Sequence, residues 1–441
     1  MILIGNGQLI TQNETCPLFE DGCVAVDGNV ITDLGSTQEM KQKYPQASFY
    51  DAKGCVIMPG LINTHGHIYS AFARGMILND GKVSKNFSQI LENLWWRVDR
   101  ALQLPEIEYS AYATYIEGIK NGVTTVYDHH ASAGHVPDSL FTIADVAKTL
   151  GVRTSLCYEV SDRDGQRIAD MGIQENADFI KFAKKQNSDM VKGLFGLHAS
   201  FTLSAETLEK CVAAANGAGF HVHVAEGIDD LYDSLEKYGK RVVERLFDEQ
   251  ILGSQTLAVH CIHINAREMD ILKHTDTLVV HNPESNMGNA VGCSAVLQMM
   301  EKGILMGLGT DGYTTDMLES FKVANILHKH NMGDPSVAWG ESAQMLFKNN
   351  ASICARHFEK PLGIIDKGAL ADIIVVDYDA TTPLTADNTA SHILFGMTGR
   401  SVVSTMINGK FVMKDRVIQT VDEREVIQQA REVAGDFWKR V

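Results

Sequence analysis

Positive charge is what this sequence lacks relative to its opposite: 39 Lys and Arg stand against 55 Asp and Glu, a formal net charge of -16. Such a chain repels a phosphate backbone, which argues against a nucleic-acid partner. No apolar run approaches the length of about 20 residues that spans a bilayer. The opening Met1-Ile-Leu-Ile-Gly-Asn-Gly has no basic region and no long apolar core, so no membrane partner and a cytoplasmic location are expected. Closely spaced cysteine pairs are missing too. The eight cysteines, at 16, 23, 55, 157, 211, 261, 293 and 354, include no Cys-x-x-Cys and lie nearly all in apolar segments, where reduced core residues are expected. Low-complexity tracts and short-period repeats are absent.

What remains is a globular chain of 441 residues, 45% hydrophobic and 21% charged, long enough for one large core and a smaller appended domain. Residues 2–34 give short alternating runs, with Asp27-Gly-Asn suited to a tight hairpin. A similar pattern returns in Ala371-Asp-Ile-Ile-Val-Val-Asp and in Val403-Ser-Thr-Met-Ile-Asn-Gly-Lys-Phe-Val. The two ends, 1–55 and 365–421, are therefore predicted to form one small β-sandwich.

Between them, β-branched runs alternate with helical patterns, the mark of repeated β-α units around a parallel sheet. Strand candidates fall near 56–64, 123–128, 152–158, 192–198, 219–224, 256–260, 277–281 and 304–310. Eight such strands predict an α/β fold, a (β/α)8 TIM-type barrel over 56–364. Residues 422–441 carry Val426, Ile427, Ala430, Val433, Ala434, Phe437 and Trp438 at helical spacing, predicting a docked amphipathic helix.

In Pro59-Gly-Leu-Ile-Asn-Thr-His65-Gly-His67 an apolar strand ends in two histidines. Strand alternation aims both imidazoles the same way, as a divalent metal requires. Alone, such a pair is as readily chance or a hydrogen-bonded turn. But His198, His223, His260 and His281 close the fourth to seventh predicted strands, and Asp311 follows the eighth. Core histidines without a shared task would scatter over both strand ends, whereas these gather on the face where barrel enzymes place their chemistry. A catalytic zinc keeps about three His or carboxylate ligands and leaves a position for water, which this set can supply. Spacing alone does not choose between His221 and His223, which face the same side.

The chain resembles the amidohydrolase superfamily, in its branch of chlorohydrolases and of guanine, cytosine and adenosine-derivative deaminases, and most of all the SsnA-type aminohydrolases. The resemblance rests on Pro59 to His67, Gly122-Val-Thr-Thr-Val-Tyr-Asp128, His223-Val-Ala-Glu226, His260-Cys261, His281-Asn-Pro-Glu-Ser-Asn286, Gly309-Thr-Asp311-Gly and Lys367-Gly-Ala-Leu-Ala-Asp. It implies one divalent metal, zinc or else iron (Fe2+), held by His65, His67, His223 and Asp311. A carboxylated lysine bridging two metals is not expected, because His198 ends the fourth strand and Lys192 lies at its start. The implied reaction is hydrolytic deamination of a small aminated heterocycle, with Asp311 as proton acceptor, Glu226 as general acid and His260 holding the attacking water. Ring-opening of a cyclic amide and dechlorination are the alternatives on the same scaffold, and a non-catalytic binding barrel is a third. A homo-oligomer is the expected assembly. The Pro-Cys-x-x-Cys deaminase chemistry is excluded by the cysteine pattern.

His198, His281 and Arg153 are the expected substrate contacts. Arg163 and Arg167 are weaker candidates, with a solvated surface the ordinary place for such arginines. Trp95-Trp96 suit core or lid packing as well as a pocket wall. His129-His130 suit turn hydrogen bonding, His221 a structural place, and His328 and His330 a surface. After Asn286 the sequence reads Met287-Gly-Asn-Ala-Val-Gly-Cys, departing from the family pattern beside the substrate.

Overall fold

A computed structural model describes residues 1–78 and 82–441. Two all-parallel sheets make its centre. One holds Leu61–Gly66, Val123–His130, Arg153–Tyr158 and Val191–Gly193; the other holds Phe195–Ala199, Phe220–Val224, Leu257–His260, Leu278–His281 and Met306–Leu308. Val191–Gly193 and Phe195–Ala199 are two halves of one fourth strand, broken only at Leu194. Parallel bridges close both seams, Val160 with Leu197 and Gly66 with Asp311. The result is a ring of eight parallel strand positions with helices between them. Nearly every strand residue is buried, as expected where a parallel sheet is covered on both faces.

The first predicted strand, 56–64, is two strands. Val56–Pro59 pairs antiparallel with Ile373–Val376, Pro59 opposite Ile373, and parallel with Ile2–Ile10. Only Leu61–Gly66 enters the ring. The break has a local cause: Pro59 has no N–H to give a second ladder. Gly60 then passes where a Cβ would lie 2.3 Å from the Thr124 side chain, and Leu61 N–H turns to the carbonyl of Gly122 at 2.9 Å. The boundary between end sheet and barrel thus falls at Pro59–Gly60 and not at residue 55.

Strands from both chain ends join in one nine-stranded sheet. Its hairpins turn where small left-handed residues stand, at Gly28 (φ 59°) and at Asn408-Gly409 (φ 51° and 77°), the combination that suits tight hairpin turns. Ile4, Leu9, Val24 and Ile57 from the first part share a core with Ile365, Ile373, Val375 and Met406 from the last. The final helix, Glu423–Trp438, starts on Asp422, which caps Arg424 and Glu425 N–H groups. It buries Ala430 and Phe437 and donates from Trp438 Nε1 to Phe72 O at 2.7 Å. No helix among the described residues is long and apolar enough to cross a membrane.

Arg153 corrects an expectation. It opens the third strand at its amino end, the far side from the strand-end histidines. It is fully buried, with Nε and Nη2 on the Asp372 carboxylate at 3.2 and 2.9 Å and Nη1 on Asp189 O. Asp372 also accepts from Asn408 N–H at 2.8 Å, so this pair bolts barrel to end sheet, and Arg153 does not border the cleft at the strand-end histidines. Removing one partner of a buried pair strands a charge and destabilises by about 3–5 kcal/mol. Arg153→Leu is accordingly expected to lower the urea midpoint strongly, and Arg153→Leu with Asp372→Leu to recover much of the loss. A midpoint unchanged in the single variant would contradict the bolt.

Candidate metal centre and cleft

The strand ends that carry the candidate residues turn sharply. Ala225, His260, Cys261 and Asp311 all have positive φ, 46°, 70°, 48° and 57°. Non-glycine residues pay of order 1–3 kcal/mol for sparsely populated backbone regions, and such residues cluster at functional sites. The turn at Ala225 is held by Asp230, whose carboxylate accepts N–H groups of Ala225 and Phe201 at 2.9 Å each. Asp128 does the same after His67, accepting Ile68 N–H at 2.7 Å.

Four side chains converge on one point. His67 Nε2 lies 3.3 Å from His223 Nε2 and 3.3 Å from Asp311 Oδ1; His65 Nε2 lies 4.0 Å from the same oxygen. Their other ring nitrogens show which atoms carry protons. His67 Nδ1 meets the His129 carbonyl at 2.6 Å and His223 Nδ1 the His198 carbonyl at 2.9 Å. A carbonyl only accepts, so both Nδ1 atoms donate, and both Nε2 atoms present lone pairs to each other. His65 Nδ1 faces His221 Nε2 at 2.9 Å, and His65 Nε2 is buried with no hydrogen-bond partner. Burial and the neighbouring imidazoles hold His65 and His223 well below the usual imidazole range, which keeps them neutral.

Lone pairs facing one another with a carboxylate beside them need a cation. Ligands about 2.0–2.2 Å from a tetrahedral zinc lie about 3.4 Å apart, close to the separations here. The nitrogen-rich, neutral donor set with one carboxylate therefore fits a divalent ion. The outward hydrogen bond from each ligand ring is the arrangement that fixes tautomer and orientation at metal centres.

Beside this point stands a second group. His260 Nε2 is 3.4 Å from both Asp311 Oδ2 and Glu226 Oε2 and is buried without a hydrogen-bond partner; its Nδ1 is held by Asn286 Oδ1 at 2.8 Å. Burial, with the Asp311 carboxylate next in weight, pushes Glu226 well above the usual carboxyl range. Burial works the same way on Asp311, but the His67 and His260 imidazoles outweigh it and hold Asp311 low. Two carboxyl groups about one imidazole are thus driven apart, one towards the acid and one towards the carboxylate, as acid–base work requires.

A cleft opens over the group and is bordered by Glu226, Asp311, His198, Glu159, Trp95 and Trp96. His198 therefore lies where it was expected, and the tryptophan pair is wall. His281 does not. It is fully buried behind the cleft, its ring 4.9 Å from that of His328; the helix Pro283–Gly288 begins two residues later and carries Ser285 and Asn289 to the cleft wall instead. His328 is itself buried, against the surface expectation, while His330 is exposed. Arg167 is exposed, and Arg163 is tied to Asp99 and lies 5.2 Å over the Trp96 ring.

Three residues at the centre lie outside the expected ligand and catalytic set: His221, expected in a structural place, His129, expected either near the site or in a turn, and Glu159, which no motif singles out. His221 carries the His65 ring. His129 spends Nε2 on the carbonyls of His221 and Leu197 and Nδ1 on Glu159, while its own carbonyl orients His67. Glu159 stands one residue beyond the third strand; the criterion that selected the histidines, a polar residue at a carboxyl strand end, applies to it equally.

Residues 56–412 match the amidohydrolase family, and residues 22–47 match an imidazolonepropionase-like composite domain of bacteria. A 5'-deoxyadenosine deaminase of Methanosarcina mazei is 28% identical over 100% of this chain and 99% of its own length. A 5-methylthioadenosine/S-adenosylhomocysteine deaminase of Thermococcus sibiricus is 31% identical, covering 93% of this chain and 94% of its own. Among solved structures, an adenosine deaminase from Xanthomonas campestris with bound zinc superposes with a TM-score of 0.88 at 22% identity, over 100% of this chain and 99% of that one. With a family match across four-fifths of its length, full-length deaminase relatives and a histidine-carboxylate centre at the mouth of a parallel barrel, this chain belongs to the amidohydrolase family.

Proposed function

We propose that this protein deaminates a small aminated heterocycle, of purine, pyrimidine, pterin or triazine type, by hydrolysis at one divalent metal, zinc. The observation that carries the reading is the convergence of His65, His67 and His223 Nε2 with Asp311 Oδ1, with no proton among the histidine nitrogens that face one another. Deaminase relatives spanning the whole chain support the reaction, and the zinc bound in the Xanthomonas campestris deaminase supports the choice of metal. Residues 60–364 would carry the chemistry, and the end sheet, curled around its shared core as a sandwich, would frame it. The free cysteines support a reducing, cytoplasmic setting.

A divalent ion held there supplies a water of lowered pKa. Asp311, kept ionised, takes the attacking water's proton through the oxygen that faces His260, and the His260 ring fixes the water's direction. Attack on an amino-bearing ring carbon puts charge on the adjacent ring nitrogen. Glu226, kept protonated by burial and by Asp311, donates there. The proton on Asp311 then leaves with the amine as ammonia, and the hydroxyl proton of the collapsing adduct returns to Glu226, so the ring carries an oxo group.

Elemental analysis should find about one divalent metal per chain, lost in His65→Ala and His223→Ala. His221→Ala, which removes the partner of His65 Nδ1 and leaves the four converging side chains in place, should weaken retention by about 10–100-fold; two tightly held metals, or full retention in all three, would remove the single-site reading. Glu226→Gln should keep the metal and lower kcat by about a hundredfold or more. The reaction itself is checked by ammonia release and the amine-to-oxo ultraviolet shift over a panel of aminated rings, with cyclic ureides and chlorinated rings as controls. Turnover of the ureides alone would sink deamination.

A further inference from the structure

Glu159 is a buried carboxylate at the cleft that the reaction does not use. Its Oε2 is held by His129 Nδ1 at 3.1 Å, and its Oε1 stands 3.7 Å from His198 Nε2. The state of that nitrogen follows from its neighbours. Thr202 Oγ1 donates to Ala199 O at 3.1 Å, so it receives the proton of His198 Nδ1 at 2.7 Å. His198 Nε2 is left with a lone pair. Two acceptors therefore stand side by side at the cleft, too far apart to bond and with no proton to share.

The cleft's charge points the same way. The carboxylates of Glu159 and Asp311 border it beside the protonated Glu226, and none of the described residues bordering it is lysine or arginine. Arg163, behind the Trp96 wall, is spent on Asp99. Arg245 is spent on the Ser200 and Leu203 carbonyls at 2.6 Å each. A phosphate or carboxylate entering here would be desolvated with no counter-charge from a side chain, an expensive arrangement.

We infer that Glu159 and His198 form a specificity-determining acceptor pair for the unreacting part of the substrate, a substituent that donates hydrogen bonds and bears no negative charge. Two chemistries meet that description, a vicinal diol and an amine. The inference rests on the deaminase reading for its choice of compounds but concerns recognition. The pair is separate from the group that moves protons.

The test uses the metal-loaded full chain and aminopurines in five forms: the base, the ribonucleoside, its 2',3'-dideoxy form, its 5'-monophosphate, and the base carrying an aminoethyl arm. Dissociation constants come from quenching of tryptophan fluorescence, since Trp95 and Trp96 wall the cleft; ammonia release gives kcat and KM on the same solutions. A donor-bearing form should bind at least about tenfold better than the base, and the monophosphate at least about a hundredfold worse than the nucleoside, because a site built to hydrogen-bond a group discriminates sharply against its lack. Loss in the dideoxy form marks the diol as the source; preference for the aminoethyl form marks the amine. Glu159→Gln should cut the ratio of the preferred form to the base at least tenfold, mainly in KM, with metal content unchanged. His198→Phe should do the same, and serves if the first variant fails to fold. Equal losses on base and preferred form, monophosphate binding within about threefold of the nucleoside, or no binding of any donor-bearing form would overturn the inference. Selective binding without ammonia would instead defeat the deaminase reading and leave the acceptor pair standing.

Discussion

The centre depends on one constraint: each ligand imidazole must turn its Nε2 lone pair inward, and something must hold the opposite nitrogen to make it do so. For His67 and His223 that something is a backbone carbonyl on a neighbouring strand end, His129 O and His198 O. Ligand orientation is thus written into strand register. A parallel strand displaced by one residue exchanges the faces of all its side chains, so it would lose not only a ligand but the carbonyl that aims the next one. His65 differs in leaning on a side chain, His221, so its aim can be spoiled by a single side-chain substitution that leaves the strand register in place.

The same crowding explains the proton inventory. Many imidazoles share a buried space a few ångströms across, and rings of His65, His67, His129 and His223 lie 4.5–5.8 Å apart. Water is too scarce there to support several like charges, and burial with repulsion between protonated rings holds His65 and His223 well below the usual imidazole range. Carboxyl groups placed in this setting diverge according to their neighbours. Asp311 and Glu159 each face imidazoles and stay ionised, while Glu226, whose nearest charge is Asp311, does not.

Much of the site was legible because strand polarity carries information. A parallel β-α pattern specifies which end of every strand faces the chemistry, and polar residues at that end form a short list. His65, His67, His198, His223, His260 and Asp311 were found in this way. The rule failed where strand direction or strand alternation was ignored. Arg153 heads its strand instead of closing it, and a buried Asp372 from the far end of the chain awaited it; no local pattern announces such a partner. His281 closes its strand, yet alternation sets it on the face of Val279, opposite the inner Leu278 and Val280, and its ring lies beside His328. Glu159 satisfied the rule and went unnoticed because a lone acid after Tyr158 matches no motif. The first strand was read as one because apolar residues run through Pro59-Gly60; only hydrogen-bond bookkeeping at the proline separates barrel from end sheet.

Closure of the ring brings Gly66 against Asp311, and just beside it Asn63 meets Thr310 across 247 residues of chain. The last strand therefore delivers the only carboxylate of the four converging ligands. A chain still emerging from synthesis holds His65, His67 and then His223 long before it holds Asp311, so ion capture is deferred until the barrel is nearly whole. An ion held there would be a seal on a finished fold, not a seed around which one grows, and a chain that stalls short of residue 311 lacks the carboxylate on which the three imidazoles converge.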